Sequence, residues 1–474
     1  MKRIVERLGT KGLPIGALAQ MTQGRIEYRK GQESRAANLC FTGVSIDSRT
    51  TKAGDCFFAI AGENFDGHDY LCDAFAKGAV CAVVGKKFDS KELDDKCLLR
   101  VEDTIQALGD LAREYRRDAR FKVVAITGSA GKTTTRQICY HCLSRRFGVH
   151  QSPKSFNNNI GLPLTLLGAN THTEIVVAEL GSNHPGEISY LARIAAPDIA
   201  VVTNVHPAHL EGFGDLQTIM REKLSISEGL TPDGVLIVNA DFEDLVDACR
   251  ARDGRFVTFG RTEAADYRAT DICLEGHGSR FTVHGTEIHL PLAGPGNVEN
   301  ALAAWAVCSQ LSLTIEEFAQ AVQSLPPVSM RSELLQIGTL TVLSDCYNAN
   351  PASMRNALDI LAKLDPSGER RLVFICGDMA ELGEQAEQLH VELGESVART
   401  KVALLLTVGK LASITAGSAE AGAEHDLKTK CFADTLSACN NLPEFIKDND
   451  IVLVKGSRTA GLETAVKKLN ELFS

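Results

Sequence analysis

Lys122-Val123-Val124-Ala125-Ile126-Thr127-Gly128-Ser129-Ala130-Gly131-Lys132-Thr133-Thr134-Thr135 reads as a buried strand, a glycine-rich turn and the first turn of a helix. That order cradles phosphate. Glycines let backbone N–H groups close around an anion, and a helix N-terminus adds partial positive charge. In such a loop Lys132 reaches the β- and γ-phosphates and the Thr133 hydroxyl holds Mg2+, while Thr127, Gly128, Ser129, Ala130, Gly131 and Thr134 complete the cradle. A standard loop of this type also carries a glycine where Ile126 stands. The stretch implies a nucleoside triphosphate and leaves open what its energy does.

Outward from this loop, apolar runs alternate with amphipathic stretches. Strands are expected at 123–127, 175–180, 199–205, 235–239 and 256–259. A β-then-α rhythm specifies a parallel sheet with helices on both faces. Ligands of such sheets bind beyond the carboxyl ends of the strands. Upstream lie short strands at 43–47, 56–60 and 80–84, a helix near 71–77, and a charged helix near 104–117 whose Arg116-Arg117-Asp118 end suits a linker. Beyond Pro326-Pro327, strands at 342–346, 372–376, 404–408 and 451–454 alternate with helices again. The reading is an α/β protein of three domains: a small α/β domain over 1–120, a central P-loop parallel-sheet domain over 121–325, and a C-terminal doubly wound, Rossmann-like domain over 326–474.

Lys and Arg number 50 against 60 Asp and Glu, a net charge of −10. That balance argues against broad binding to nucleic acid or an anionic membrane, so an anionic substrate needs a locally basic site. Met1 to Arg7 is charged and amphipathic, unlike a secretory leader, and no apolar run is long enough to span a bilayer. Fourteen cysteines are scattered through strands and helices. They read as reduced thiols acting as small hydrophobes in a cytoplasmic monomer. Cys139 and Cys142 form a C-x-x-C without a second pair nearby, which favours core packing over a metal or redox site.

Several polar constellations sit at strand ends. Glu179 closes the strand before Leu180-Gly181-Ser182-Asn183-His184 and is placed either to hold Mg2+ or to end a strand in water. His206 and His209 follow the next strand in His206-Pro207-Ala208-His209-Leu210-Glu211-Gly212-Phe213-Gly214, with His209 the better candidate for a second metal. Lys223 alone reads as a solvated helical lysine. Asn157 and Asn158, in Asn157-Asn158-Asn159-Ile160-Gly161, either bind substrate or form turns. Asp345-Cys346-Tyr347-Asn348-Ala349-Asn350-Pro351 is dense in polar groups directly after a buried strand. Arg331, Lys455 and Arg458 add positive charge suited to phosphates or carboxylates.

Taken together these motifs resemble the Mur ligase family, in the branch that adds D-alanyl-D-alanine, over nearly the whole chain. Ser45-Ile46-Asp47-Ser48-Arg49, Gly54-Asp55-Cys56-Phe57-Phe58-Ala59-Ile60 and Asp66-Gly67-His68 are similar to its UDP-sugar-binding domain. Thr127-Gly128-Ser129-Ala130-Gly131-Lys132-Thr133-Thr134 is the family's own shortened P-loop. Phe156-Asn157-Asn158, Glu179-Leu180-Gly181-Ser182-Asn183-His184, Ala208-His209-Leu210-Glu211-Gly212-Phe213-Gly214, Tyr347-Asn348-Ala349-Asn350-Pro351, Gly377-Asp378-Met379-Ala380-Glu381-Leu382-Gly383 and Lys455-Gly456-Ser457-Arg458 also resemble its signatures.

The resemblance implies that ATP, UDP-N-acetylmuramoyl-tripeptide and D-Ala-D-Ala give ADP, phosphate and the UDP-linked pentapeptide through an acyl phosphate. It implies Ser45, Asp47, Ser48, Arg49, Asp66 and His68 for the UDP-sugar, and Asn348, Asn350, Lys455 and Arg458 for substrate. Asn297 and Asn300 would lie near the nucleotide, with Arg331 and Asp345 closing over it. Lys132, Asn157, Asn158, His209 and Lys223 would be catalytic. One Mg2+ would sit on Thr133 and Glu179 and a second on His209, with Lys223 carbamylated as a metal-binding anion. The family commonly shows Gly-x-His-Asn where this chain has Gly294-Pro295-Gly296-Asn297, so that histidine has no counterpart at Gly296. The ligase adding the third peptide residue normally carries an Asp-Asn-Pro-Arg run, absent here. A folylpolyglutamate synthase would not need the first block, and a nucleotide-dependent switch would not need Glu179, His209 and Lys223 together.

Overall fold

The computed structural model describes Leu8 and residues 11–28, 36–89, 93, 95–153, 155–252 and 254–474. The charged Met1–Arg7 stretch lies outside them. The central sheet has seven strands in the order Tyr267–Arg268, Phe256–Gly260, Val235–Asn239, Ile199–Val202, Lys122–Thr127, Ile175–Glu179, Val149–Gln151. Every neighbouring pair is parallel. The strands are apolar on both faces because both are covered. Val123 and Ala125 pack into one core while Val124 and Ile126 pack into the other.

The P-loop strand lies between Ile199–Val202 and Ile175–Glu179. That order brings the loop, Glu179 and the Thr203–His209 segment to one edge. The strand expected over 199–205 stops at Val202, because the following residues bond the P-loop instead of the ladder. Thr203 Oγ1 donates to the Ala130 carbonyl at 2.6 Å, and Asn204 Oδ1 accepts from the Ala130 N–H at 2.9 Å.

The first sheet runs Arg25–Glu27, Leu98–Val101, Cys81–Gly85, Asp55–Phe58, Gly43–Ser45, parallel except at Arg25–Glu27. Helix Thr104–Asp118 follows, capped by Asp103, which accepts from Ile105 N–H at 2.8 Å. Its end, expected as a linker, is anchored. Arg116 is buried and donates to the carbonyls of Ala195 (2.9 Å), Ala196 (2.8 Å) and Phe121 (2.9 Å) and to Asp198 Oδ2 (2.8 Å). One side chain thus ties the first domain's last helix to the central domain.

Three strands, Thr270–Glu275, Gly278–Val283 and Thr286–Leu290, form an antiparallel sheet where the sequence reading placed none. Its inward residues Phe281, Val283, Ile288 and Leu290 join helix Pro295–Gln310 in one core, and the outer face is polar.

The C-terminal sheet runs Glu333–Ile337, Leu340–Ser344, Ile451–Lys455, Leu372–Gly377, Val402–Val408, Lys428–Phe432. It is parallel except at its first pair. The two edge strands, Glu333–Ile337 and Lys428–Phe432, escaped the sequence reading because they are only partly buried and carry no continuous apolar run. Cys139 and Cys142 pack beside Cys308 in the core, where burial raises the Cys139 and Cys308 thiols far above their ordinary range. Among the described residues no helix is long and apolar enough to cross a membrane.

Candidate active site

Gly128 has φ +144° and Gly131 φ +80°. A Cβ at Gly128 would lie 1.9 Å from Thr203 Oγ1, and one at Gly131 would lie 2.0 Å from Asn300 Oδ1. Both positions therefore demand glycine for conformation and for space. Ile126 is different. Its side chain lies in the sheet core and its carbonyl accepts from Leu180 N–H at 2.8 Å, so it belongs to the strand and the loop begins later. Lys132 starts helix Lys132–Leu143 and folds back to donate to the Gly128 carbonyl at 2.7 Å. Burial lowers its pKa, against the pull of Glu179.

Glu179 is the hub beside the loop. Its Oε2 accepts from Thr133 Oγ1 at 2.8 Å, and its Oε1 accepts from Asn157 Nδ2 at 3.0 Å. Arg136 Nε stands 3.6 Å from Oε2, while the same guanidinium bonds Gln151 Oε1 at 2.7 Å and the Ser152 carbonyl. The carboxylate is buried, which excludes a solvated strand terminus. Among the described residues no three His, Cys, Asp or Glu converge as a metal cage. Thr133 with Glu179 is a partial set of hard oxygen donors, which fits Mg2+ completed by water and phosphate. Asn158 shapes the backbone instead. Its Oδ1 accepts from the N–H groups of Ile160 (3.2 Å) and Gly161 (2.8 Å) at the entry to helix Gly161–Gly168.

Lys223 is not a solvated lysine. It lies on helix Leu216–Leu224, is 2% exposed, and donates to Ser182 Oγ at 2.8 Å with the Phe213 ring centre 5.4 Å away. Burial, with Lys132 nearby, lowers its ammonium pKa to about 7. His209 has φ +53°, and its Nδ1 pairs with Glu381 Oε2 of the C-terminal domain. Burial and Lys132 lower its pKa, and Glu381 opposes them. His206 packs edge-on against Phe242 at 5.0 Å, and burial lowers its pKa to about 4.

From the C-terminal domain, Arg331 sits between two left-handed residues, Met330 (φ +57°) and Ser332 (φ +48°). Its guanidinium lies 4.2 Å from the Tyr347 ring centre, and that of Arg458 lies 5.7 Å from the same ring. Lys455 is buried, donating to Asp345 Oδ2 at 2.6 Å and to the Asn348 carbonyl at 3.0 Å. This pair fixes the loop after strand Leu340–Ser344. Asn350 caps helix Pro351–Lys363 through Ser353 N–H (2.9 Å) and its Nδ2 reaches the Ser129 carbonyl at 3.3 Å. Asn300 Nδ2 donates to Asn297 Oδ1 at 3.2 Å, while Thr135 Oγ1 donates to Asn300 Oδ1 at 3.3 Å. The Gly296 N–H donates to Asn356 Oδ1 at 3.0 Å, so a C-terminal-domain amide stands against the central domain here.

A cavity of about 1110 Å3 opens between the central and C-terminal domains. Lys132, Thr133, Glu179, His209, Arg331 and Asp345 all border it. So do Ser129, Ala130, Gly131, Thr134, Asn157, Asn158, Asn297, Asn300, Asn348, Asn350, Lys455 and Arg458. Thr127, Gly128 and Lys223 stand behind its wall, Lys223 reaching it through Ser182. The first-domain candidates do not border it and form two groups of their own. Ser45 Oγ meets Thr51 Oγ1 at 2.9 Å beside buried Ser48, and Arg49 holds the Asp47 carboxyl down to about 2. Asp66 Oδ1 bonds His68 Nδ1 at 2.6 Å, while His68 Nε2 accepts from Gly85 N–H at 3.0 Å. Sequence reasoning missed Arg136, Ser182, Asn204, Asn356 and Glu381 as parts of the site. Ser182 and Glu381 lay inside recognised motifs, but nothing in the motifs told what they would touch.

Three family descriptions match the chain in order: "Mur ligase family, catalytic domain" at residues 41–116, "Mur ligase middle domain" at 126–308 and "Mur ligase, glutamate ligase domain" at 330–458. The chain is 35% identical to the UDP-N-acetylmuramoyl-tripeptide--D-alanyl-D-alanine ligase of Bacillus subtilis, over 96% of this chain and 97% of that one. It is also 35% identical to the Escherichia coli protein of the same name, over 93% and 96%. A crystal structure of MurF from Acinetobacter baumannii superposes with a TM-score of 0.86 at 31% identity, covering 98% of this chain and 100% of that one. The structure of MurF ligase from Thermotoga maritima in complex with ADP gives a TM-score of 0.78 at 27% identity, over 90% and 97%.

Proposed function

The chain belongs to the Mur ligase family, and we propose that it joins D-Ala-D-Ala to UDP-N-acetylmuramoyl-tripeptide at the expense of ATP, releasing ADP and phosphate. One observation carries the reading. A phosphate loop, a Thr133–Glu179 oxygen pair, His209 and two arginines from a second domain border a single cavity.

The tripeptide's terminal carboxylate attacks the γ-phosphorus, ADP leaves, and an acyl phosphate forms. The dipeptide amine then adds to the acyl carbon, and the tetrahedral intermediate expels phosphate with one oxygen of the former carboxylate. Two anions must meet, so the barrier is largely electrostatic. The P-loop N–H groups hold the phosphates, and Lys132 exchanges its Gly128 carbonyl for phosphate oxygens. Arg331 closes over the nucleotide from its shelf on Tyr347. Arg458 offers a guanidinium to the dipeptide carboxylate, beside the Asn348–Asn350 loop that Lys455 and Asp345 keep in shape. Asn157 keeps Glu179 aimed, and Asn297 and Asn300 back the P-loop. In the first domain Ser45, Asp47, Ser48, Arg49, Asp66 and His68 bind the UDP-sugar.

Thr133 and Glu179 would hold one Mg2+, and His209 with a carbamate on Lys223 would hold a second. When bound, these ions neutralise the phosphate and the carboxylate. A buried amine whose ammonium titrates at about 7 is substantially neutral at neutral pH, and the neutral amine is the form that adds CO2. Dependence on ATP suits a cytoplasmic enzyme.

Phosphate release measured with each substrate omitted in turn tests the reading. Turnover is expected only with both the UDP-tripeptide and D-Ala-D-Ala present, with a pentapeptide product by mass. Equal turnover with neither substrate would sink the proposal. The third residue, meso-diaminopimelate or L-lysine, is read from the product masses when both tripeptides compete.

A further inference from the structure

His209, in the cavity's cationic and metal-binding set, has its ring held from the opposite domain. Its Nδ1 pairs with the Glu381 carboxylate. The contact is built from both sides. His209 and Glu381 are both in the left-handed region, φ +53° and +60°, which non-glycine residues adopt uncommonly. The Glu211 N–H, two residues beyond His209, donates to the Glu381 carbonyl at 3.2 Å, so backbone and side chain engage together. Glu381 is itself firmly carried. Met379 is buried and its N–H donates to His390 Nε2 at 3.1 Å, His390 Nδ1 bonds the Ala386 carbonyl at 2.6 Å, and Leu382 is buried.

We propose that Glu381 is a positioning residue that makes His209 competent only when the C-terminal domain is closed. This rests on the ligase reading given above. The Glu381 charge beside Nδ1 favours the tautomer with the proton on Nδ1, leaving the Nε2 lone pair for the cavity. Because the carboxylate arrives on the other domain, ring orientation and domain closure become one event. Opening the domains removes this partner and frees the ring to rotate. The consequence is a check against premature chemistry: the second half of the electrostatic machinery is assembled only around a closed site.

The test compares Glu381→Ala and Glu381→Gln in the full chain. Gln keeps an acceptor for Nδ1–H at nearly the same reach, and Ala removes it. We expect Ala to lower kcat about 100-fold with the KM for ATP changed less than about threefold, and Gln to recover at least tenfold of that loss. A second readout needs neither metal nor turnover: small-angle scattering of the metal-free chain should show a larger radius of gyration for Ala than for wild type, with Gln between them. Wild-type kcat and wild-type scattering in Ala would overturn the proposal. So would equal losses in Ala and Gln, because a merely structural contact has no reason to be rescued by an amide. If wild type itself shows no substrate-dependent turnover, the ligase reading fails, and the scattering still decides whether Glu381 latches the domains.

Discussion

Lys132 and Lys223 are two lysines with opposite fates. Lys132 faces the cavity and has a carboxylate, Glu179, working to keep it charged, while Lys223 is packed on Ser182 and Phe213. Lys132→Ala is expected to cut kcat/KM for ATP at least 100-fold while the melting temperature stays within a few degrees, checked by steady-state kinetics and calorimetry. Lys223 carries a stability signature as well. Its folded value of about 7 lies below the ordinary 10.5, so the folded chain binds fewer protons than the unfolded chain between those limits. Stability contributed at this site is therefore lowest below pH 7 and rises as the pH climbs through that window. Lys223→Met should flatten this rise in denaturant titrations; an unchanged pH profile would show that the amine is not buried as described. At fixed dissolved 13CO2, a carbamate carbon signal should grow through the same rise and be absent from the Met variant.

At the scale of elements, the parallel core was legible because both faces of each strand are covered, which writes uninterrupted apolar runs such as Val123–Ile126 and Val176–Ala178. Strands half open to water wrote no such run, so the antiparallel sheet from Thr270–Glu275 to Thr286–Leu290 and the C-terminal edge strands went unread. The loop residues Lys132, Thr133 and Glu179 were legible from position after a strand. Lys223 became a site residue only through family resemblance, since helical periodicity places it without saying what covers it. The role of Arg116 was not legible, because its partners are carbonyls 79 and 80 residues away. Arg116→Ala should cost about 3 kcal/mol in chemical denaturation, since it strips Asp198 of its buried partner and leaves three carbonyls unpaired. A loss under about 0.5 kcal/mol would show that the helix Thr104–Asp118 does not need this anchor.

At the scale of the whole molecule, the site exists only because two domains share it. Asn350 on Ser129, Asn356 on Gly296 and Glu381 on His209 cross the same cleft, and each places a C-terminal side chain on a central-domain loop. Gly296 belongs to the same seam: a Cβ there would lie 3.0 Å from Asn356 Oδ1, so the other domain packs closely against it. Such an arrangement suits a reaction in which water must not reach an acyl phosphate before the amine does. The proposed chemistry turns on that intermediate, and oxygen labelling tests it directly. UDP-N-acetylmuramoyl-tripeptide carrying 18O in its terminal carboxylate is turned over with ATP and D-Ala-D-Ala, and the released phosphate is analysed by mass spectrometry. One 18O is expected in each phosphate when both carboxylate oxygens are labelled; unlabelled phosphate accompanying full pentapeptide formation would contradict an acyl phosphate.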